Sequence, residues 1–281
     1  MEKDALTQLS ALSHPQRMQI FRLLMRRYPD AVPAGEIATV LEMKASTNSV
    51  YLAALKNAGL VTQQRHGTSL HYRAETEALQ RLMGYLLNDC CRGRPDICPP
   101  LPTPETGTTT MAHQPYNVLF ICSGNSARSI IAETLLRDLG GDRFAVFSAG
   151  TRPYSELNPI AVELLATKGH DVSGLRAKSV TEFQGPDAPH MDFVFTVCDQ
   201  AANEDCPTWQ GQPLSAHWGL PDPVKATGAE AEKRLAFQQT YGALKNRITA
   251  FAALPLNTLD RISLQTALDD LARDIQLGEP A

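Results

Sequence analysis

Val118-Leu119-Phe120-Ile121-Cys122-Ser123-Gly124-Asn125-Ser126-Ala127-Arg128-Ser129 sets an apolar run against a glycine-asparagine turn, and apolar residues at helical spacing follow it. A short apolar run bounded by turn residues reads as a buried strand, here residues 116–121, and the spacing beyond it predicts a helix over 129–139. The loop between them then lies at a helix N-terminus, where unpaired amides and the helix dipole favour an anion. Outward from this unit the pattern alternates, with strand 144–148, helix 159–168 and strand 191–197. Asn158 before Pro159 is a sound helix start, because Asn caps free amides and proline suits the first helical position. Such alternation indicates an α/β domain with a parallel sheet, and two amphipathic helices, about 229–252 and 259–276, close the chain.

Upstream, residues 95–115 read PDICPPLPTPETGTTTMAHQP, with six prolines, five threonines and no periodic apolar pattern. That composition predicts an extended, semi-rigid linker. It divides a first domain, 1–94, from a second, 116–281, in keeping with a length of 281 residues. Within the first domain, apolar spacing predicts helices at 4–12, 15–28, 34–41, 46–58 and 76–90. Leu60-Val61 and Leu70-His71-Tyr72-Arg73 flank Arg65-His66-Gly67-Thr68 as two strands around a turn.

Composition excludes disorder and collagen, since 43% of residues are hydrophobic and 20% charged. The longest apolar runs are far too short to cross a bilayer, and the first ten residues lack an apolar signal core, so a cytoplasmic protein with no membrane partner is expected. The net charge of −4 argues against nucleic acid for the chain as a whole. The halves differ, however: residues 1–98 carry 12 Lys/Arg against 9 Asp/Glu, and the remainder 14 against 21. Opposite signs are expected where only one half meets phosphate backbone. The six cysteines partition likewise, and in a long cytoplasmic chain such thiols are more often metal-binding or catalytic than structural.

Helix 34–41, a break at 42–45, helix 46–58 and the hairpin describe a winged helix-turn-helix, mainly α. In that unit the second helix enters the major groove and the hairpin touches backbone or minor groove. Ser46, Thr47, Asn48, Ser49 and Tyr51 are the candidate base-reading residues, with Arg65 and His66 at the wing tip. A merely solvated polar face is the alternative. Together with Leu12-Ser13-His14-Pro15-Gln16-Arg17 and Leu52-Ala53-Ala54-Leu55-Lys56-Asn57-Ala58-Gly59-Leu60-Val61, this order resembles the ArsR-type family of arsenic- and metal-responsive repressors over residues 1–90. The resemblance implies operator DNA as partner and a homodimer formed through this domain. Many members carry a cysteine pair before the recognition helix, where residues 35–41 have none. Cys90, Cys91 and Cys98 follow the last helix instead, an arrangement similar to a subset of arsenite-sensing members. Three thiolates suit a soft thiophilic ion, so arsenite is the expected regulatory ligand; zinc, redox sensing or incidental thiols are the alternatives.

In the second domain, Cys122 and Arg128 stand in the cysteine, five residues, arginine pattern of the cysteine phosphatases. The amides of Ser123, Gly124, Asn125, Ser126, Ala127, Arg128 and Ser129 can converge on a tetrahedral oxyanion that Arg128 grips with its planar fork. The same positive field is expected to lower the Cys122 pKa and free a thiolate nucleophile, with Ser129 donating to the sulfur. Asp222-Pro223 offers a carboxylic acid on a stiffened loop for protonating a leaving oxygen. With Phe147-Ser148-Ala149-Gly150 and Ala216-His217-Trp218-Gly219-Leu220-Pro221-Asp222-Pro223, these residues resemble the low-molecular-weight tyrosine phosphatase fold, a four-stranded parallel sheet, and specifically its arsenate reductase branch, over roughly 115–275. His217 and Trp218 read as packing residues.

Cys198 and Cys206 separate reductase from phosphatase. A thiol ending strand 191–197 can lie beside Cys122, because ligands of doubly wound sheets sit at the strands' carboxyl ends. A core cysteine and an exposed loop thiol are the plainer readings. By resemblance, Cys122 attacks arsenic, Asp222 protonates the departing hydroxide, Cys198 attacks the Cys122 sulfur and Cys206 takes over by thiol exchange. That scheme implies no tightly bound cofactor and an external thiol reductant, thioredoxin or a similar donor. Two departures stand out: Ala127 fills a position that is cysteine in some reductases, and seven residues rather than six separate Cys198 from Cys206. The expected function is an arsenite-responsive repressor fused to an arsenate reductase. A cysteine phosphatase tethered to DNA and a non-catalytic oxyanion sensor are its rivals.

Overall fold

The computed structural model describes residues 2–90, 115–185, 187–204, 209 and 212–273. The chain forms two compact units, Met1–Ala112 and His113–Ala281. Among the described residues no helix is long and apolar enough to cross a membrane.

The first unit carries helices α1 (Glu2–Leu12), α2 (Pro15–Arg26), α3 (Ala34–Val40), α4 (Ala45–Asn57) and α5 (Thr76–Gly84). The His14 ring accepts from the Gln16 amide at 3.2 Å and Pro15 occupies the first turn, so α2 begins where its own sequence provides a cap. Glu42, at φ 50°, turns the chain between α3 and α4. Strands β2 (Val61–His66) and β3 (Ser69–Ala74) pair antiparallel around Gly67, whose φ of 58° suits glycine. A two-residue strand β1 (Val32–Pro33), which apolar patterning does not reveal, adds to the far edge of β3. Ile20, Leu23, Leu24, Ile37, Leu52, Leu55 and Leu60 are fully buried at its centre. Burying each such side chain contributes about 1.5–3 kcal/mol. The helix expected over 76–90 ends as an α-helix at Gly84 and continues as a π-helical turn, Tyr85–Cys90; glycine is a poor helix former, and the register changes just beyond it.

The second unit is a parallel sheet of β4 (Tyr116–Cys122), β5 (Phe144–Gly150), β6 (Phe193–Thr196) and β7 (Leu214–His217), ordered β5-β4-β6-β7. Helix α6 (Arg128–Gly140) is buried on most of its faces, between β4 and β5 on one side and α9 (Glu230–Ala252) on the other. Helix α7 (Pro159–Thr167) starts on the Asn158 cap as expected, and α10 (Arg261–Arg273) packs on β7. Trp218 is fully buried and stacks on Phe195 at 4.0 Å, with Phe251 edge-on to Phe195 at 5.1 Å, so the tryptophan packs as expected. The chain leaves β4 for β5 on one side and then returns to β6 on the other. The reversal places a switch point at the carboxyl end of β4, the usual position of a ligand in doubly wound sheets.

Candidate active site

Cys122 is the last residue of β4, and residues 123–127 loop to the start of α6. Four of the loop's carbonyls are taken up on one side: Cys122 O accepts from Thr151 N at 3.1 Å, Ser123 O from Arg152 N at 2.9 Å, Gly124 O from Tyr154 N at 2.9 Å and Ser126 O from Asn158 N at 3.0 Å. In a planar trans peptide the next residue's N–H points opposite to the carbonyl. The amides of Ser123, Gly124, Asn125 and Ala127 therefore face the other way, toward the Cys122 sulfur. The Asn125 amide donates to that sulfur at 3.1 Å. Among the described residues, the amides of Ser123, Gly124, Ser126 and Ala127 have no acceptor. Unused donors are uncommon in native loops, and a row of them at a helix N-terminus is an anion site.

Gly150 must be glycine where the two loops touch, whereas at Gly124 only the exposed Tyr154 ring stands close. A Cβ on Gly150 would lie 2.7 Å from the Ser123 carbonyl oxygen, and one on Gly124 would lie 2.5 Å from the Tyr154 ring. Asn125, fully buried at φ 45°, occupies the left-handed region that Asn tolerates. Its Oδ1 accepts from Lys178 N at 2.7 Å, and its Nδ2 donates to Ser129 Oγ at 2.9 Å and Ser148 Oγ at 2.8 Å.

Ser129 Oγ lies 2.9 Å from Cys122 Sγ, as expected, and the Ser129 amide also reaches the sulfur. The electrostatic expectation needs correction, however. Burial, reinforced by the neighbouring Cys198 thiol, pushes the Cys122 thiol above its ordinary value, outweighing the Ser129 hydrogen bonds and Arg128. Arg128 is engaged elsewhere: its Nη2 pairs with Asp222 Oδ2 at 2.9 Å, and its Nη1 donates to Leu220 O at 2.9 Å. Asp222 also accepts from the Val224 amide at 3.2 Å, capping the turn that Pro223 opens.

Cys198, two residues beyond β6, is buried, and its Sγ lies 3.5 Å from Ser123 Oγ, next to Cys122. It caps a short helix, α8 (Asp199–Asn203), by accepting from the Ala201 amide at 3.4 Å. The Cys90, Cys122 and Cys198 thiols are all free. Cys206, Cys91 and Cys98 lie outside the described residues, as does most of the 95–115 segment. Buried His217 is held by Thr196 Oγ1 at 2.8 Å.

In the first unit, Ser46 and Ser49 are exposed on α4, Thr47 is half-buried, and Arg65 and His66 are exposed at the hairpin end. Asn48 does not face solvent with them, and Tyr51 is half-buried like Thr47. Asn48 is buried and donates to Ala34 O at 2.8 Å; Tyr51 packs its ring on His14 at 4.8 Å. Asn48, Leu52 and Leu55 lie at i, i+4 and i+7, which puts the asparagine on the buried stripe. Val50, 66% exposed, stands on the outer face instead, a position the helical spacing from Ser46 and Ser49 could have disclosed. Cys90 is exposed at the end of the π-helical turn.

A four-stranded parallel sheet with a thiol-bearing anion loop at its switch point defines an α/β domain of the cysteine-dependent oxyanion class. The low molecular weight phosphotyrosine protein phosphatase family matches residues 117–263, and the chain belongs to that family. An arsenate reductase of Bacillus licheniformis is 38% identical over 136 residues, spanning 48% of this chain and 94% of the relative. One of Bacillus subtilis is 35% identical over 135 residues, with the same two shares. The crystal structure of an arsenate reductase from Archaeoglobus fulgidus matches 49% of this chain and 99% of its own at 23% identity and a TM-score of 0.41.

Proposed function

We propose that the second unit is an arsenate reductase and that the first is a winged helix-turn-helix repressor domain responding to its product, arsenite. The observation that carries the enzymatic reading is the pair of buried thiols, Cys122 under unused amides and Cys198 against Ser123, in a domain whose curated relatives are named arsenate reductases. A phosphatase shares Cys122, Arg128 and Asp222 but has no need of a second thiol at the adjacent strand end.

Arsenate enters as the oxyanion that draws Arg128 from Asp222, and the unused amides of Ser123, Gly124, Ser126 and Ala127 take its oxygens. Arg128, released from Asp222, and the Ser129 hydrogen bonds offset the burial that raises the Cys122 thiol. Cys122 as thiolate attacks arsenic, and Asp222 gives its proton to the departing hydroxide, which leaves as water. Cys198 attacks the Cys122 sulfur; the sulfur-arsenic bond breaks, its electron pair stays on arsenic and arsenite departs. The two thiols lose the two electrons that arsenic gains. Cys206 displaces Cys122 by thiol exchange, and an external thiol donor, thioredoxin or a similar protein, reduces the Cys198–Cys206 disulfide. No tightly bound cofactor is needed.

For the first unit, the exposed Ser46, Ser49 and Val50 of α4, the half-buried Thr47, and the exposed Arg65 and His66 of the hairpin support DNA reading. Exposed Leu6 and Leu9 of α1, with Met83 and Leu87 around the end of α5, give an apolar surface suited to a homodimer. Cys90, Cys91 and Cys98 would form the arsenite site, and the protein would act in the cytoplasm. Arsenate-dependent oxidation of thioredoxin by the purified chain tests the enzymatic reading; hydrolysis of a phosphotyrosine substrate with no such oxidation would replace it with the phosphatase.

A further inference from the structure

Buried His217 has no part in the chemistry assigned to Cys122, Cys198 and Asp222, yet its ring touches both ends of the turn that carries Cys198. Strand β6 ends at Thr196, and the Val197 amide still donates to Ile121 O on β4 at 2.9 Å. Cys198 and Asp199 follow outside the sheet ladder. His217 faces Thr196 from the paired strand β7, and its imidazole holds the chain on either side of Cys198. Nδ1 lies 2.8 Å from Thr196 Oγ1, and Nε2 lies 3.2 Å from Asp199 Oδ1.

Donor and acceptor inventory fixes the ring. An Asp199 carboxylate only accepts, so Nε2 bears a proton, and Nδ1 of the neutral ring accepts from the Thr196 hydroxyl. The turn needs such an anchor. Helix α8 is five residues long, far too short to hold itself in water, and the side chains that it buries, Ala201 and Ala202, are small. Cys198 Sγ must nevertheless stay beside Ser123 and Cys122, because displacement at sulfur needs the attacking thiol in line with the bond that breaks. A misplacement of about 1 Å can cost about 10²-fold in rate. The backbone leading to Asp222 also passes over the pair: a Cβ on Gly219 would lie 2.6 Å from His217 Nε2 and 2.7 Å from Asp199 Oδ1, so glycine leaves the room in which they meet.

We propose that His217 is a positioning residue for the second thiol: its ring clamps Thr196 to Asp199 and so holds Cys198 Sγ where it attacks the Cys122 sulfur. The inference rests on the reading of Cys198 as that attacking thiol. In the step it serves, Cys198 gives its proton to solvent and forms a sulfur-sulfur bond to Cys122. The bond from Cys122 to its leaving group breaks, and the electron pair departs on that group. Loss of the clamp should slow this closure and leave the reactivity of Cys122 itself unchanged.

Dithiodipyridine tests the closure without arsenate. In the full chain with Cys90, Cys91, Cys98 and Cys206 replaced by serine, either remaining thiol displaces one thiopyridone to form a mixed disulfide. The other then displaces the second thiopyridone as Cys122 and Cys198 join, and this second release is first order in protein and independent of reagent concentration. His217→Phe and Asp199→Ala should each slow it about tenfold. Asp199→Asn, which keeps an acceptor for Nε2, should restore the rate. Alkylation of Cys122 by iodoacetamide and the urea midpoint should be the same in Asp199→Ala as in its parent. Unchanged closure in both His217→Phe and Asp199→Ala overturns the proposal, as does equal slowing by Asp199→Asn. If His217→Phe does not fold, Asp199→Ala, at an exposed position, decides alone. Arsenate turnover is measured alongside in the chain with its cysteines intact: slowed closure in a protein that never turns over arsenate removes the reductase reading alone, whereas wild-type closure in the variants of an active reductase removes this proposal alone.

Discussion

The Arg128 guanidinium and the Asp222 carboxylate hold one another at 2.9 Å. The group assigned to grip an oxyanion and the group assigned to protonate its leaving oxygen thus occupy each other, and binding must separate them. Asp222→Ala should accordingly bind inorganic phosphate more tightly than wild type, since a competing carboxylate is gone, while reducing arsenate about 10²–10⁴-fold more slowly for want of the general acid. Arg128→Lys should weaken phosphate binding, because a point charge replaces a planar fork. Phosphate protection of Cys122 from alkylation gives the affinities and single-turnover arsenite release gives the rates; slower reduction by Asp222→Ala with weaker binding would contradict the separation.

The relay makes a sharper distinction among three thiols. Cys206→Ser should release one equivalent of arsenite per site and then stall with Cys122 and Cys198 joined, whereas Cys122→Ser should release none. Sustained thioredoxin-linked turnover by the Cys206 variant would mean that the electrons leave by another route.

Asn48 and Arg65 should part company in the first unit. Asn48→Ala removes a buried hydrogen bond to Ala34 O and should cost about 1–3 kcal/mol of stability in urea unfolding. Arg65→Ala, at an exposed position, should leave stability nearly unchanged and lower the salt dependence of operator binding by about one phosphate contact. An Asn48 variant of full stability that misreads the operator would reverse this division.

These residues also mark how far sequence alone reaches. The anion loop is legible because one continuous strand-loop-helix segment holds Cys122, Arg128 and Ser129, and local apolar pattern decides all of it. Asn48 misleads because its polarity suggests a surface while its spacing from Leu52 and Leu55 places it inside. Lys178 and Glu133 look like ordinary solvated charges in sequence; their burial arises only when the segment around Lys178 pairs with Gly150 at the end of β5. Strand β7 spans four residues, Leu214–His217, and is a strand through its pairing with β6 rather than through any pattern of its own. The competition of Asp222 for Arg128 is likewise a tertiary fact, joining residues 94 apart.

Stability should carry its own pH signature through Asp269 on α10, whose carboxyl is pushed up to about 6 by burial, against a Gln265 hydrogen bond and Arg273. An unfolded aspartate titrates near 4. Between about pH 4 and 6 the folded protein therefore keeps a proton that the unfolded chain has lost, and stability falls as pH rises through that window, then levels off. Since the group is partly exposed, the loss should be only about 1 kcal/mol. Asp269→Asn should be more stable than wild type at pH 7.5 and lose that advantage toward pH 4, as read by urea unfolding; an advantage constant across the range would assign the gain to packing.

The coupling of the two units gives the last expectation. Arsenate offers no site to three thiolates as soft three-coordinate arsenic, whereas arsenite does, so Cys90, Cys91 and Cys98 should ignore arsenate until the enzyme reduces it. A ligand shifts a repressor only through its different affinities for the free and DNA-bound states. On operator DNA, arsenate with thioredoxin, its reductase and NADPH should therefore release the protein, and Cys122→Ser should abolish that release while still responding to added arsenite. Replacing Cys90, Cys91 and Cys98 with serine should preserve operator binding and remove both responses. Release by arsenate with no reductant, or a Cys122→Ser protein blind to arsenite, would show that the units communicate by conformation rather than by passage of the product from one to the other.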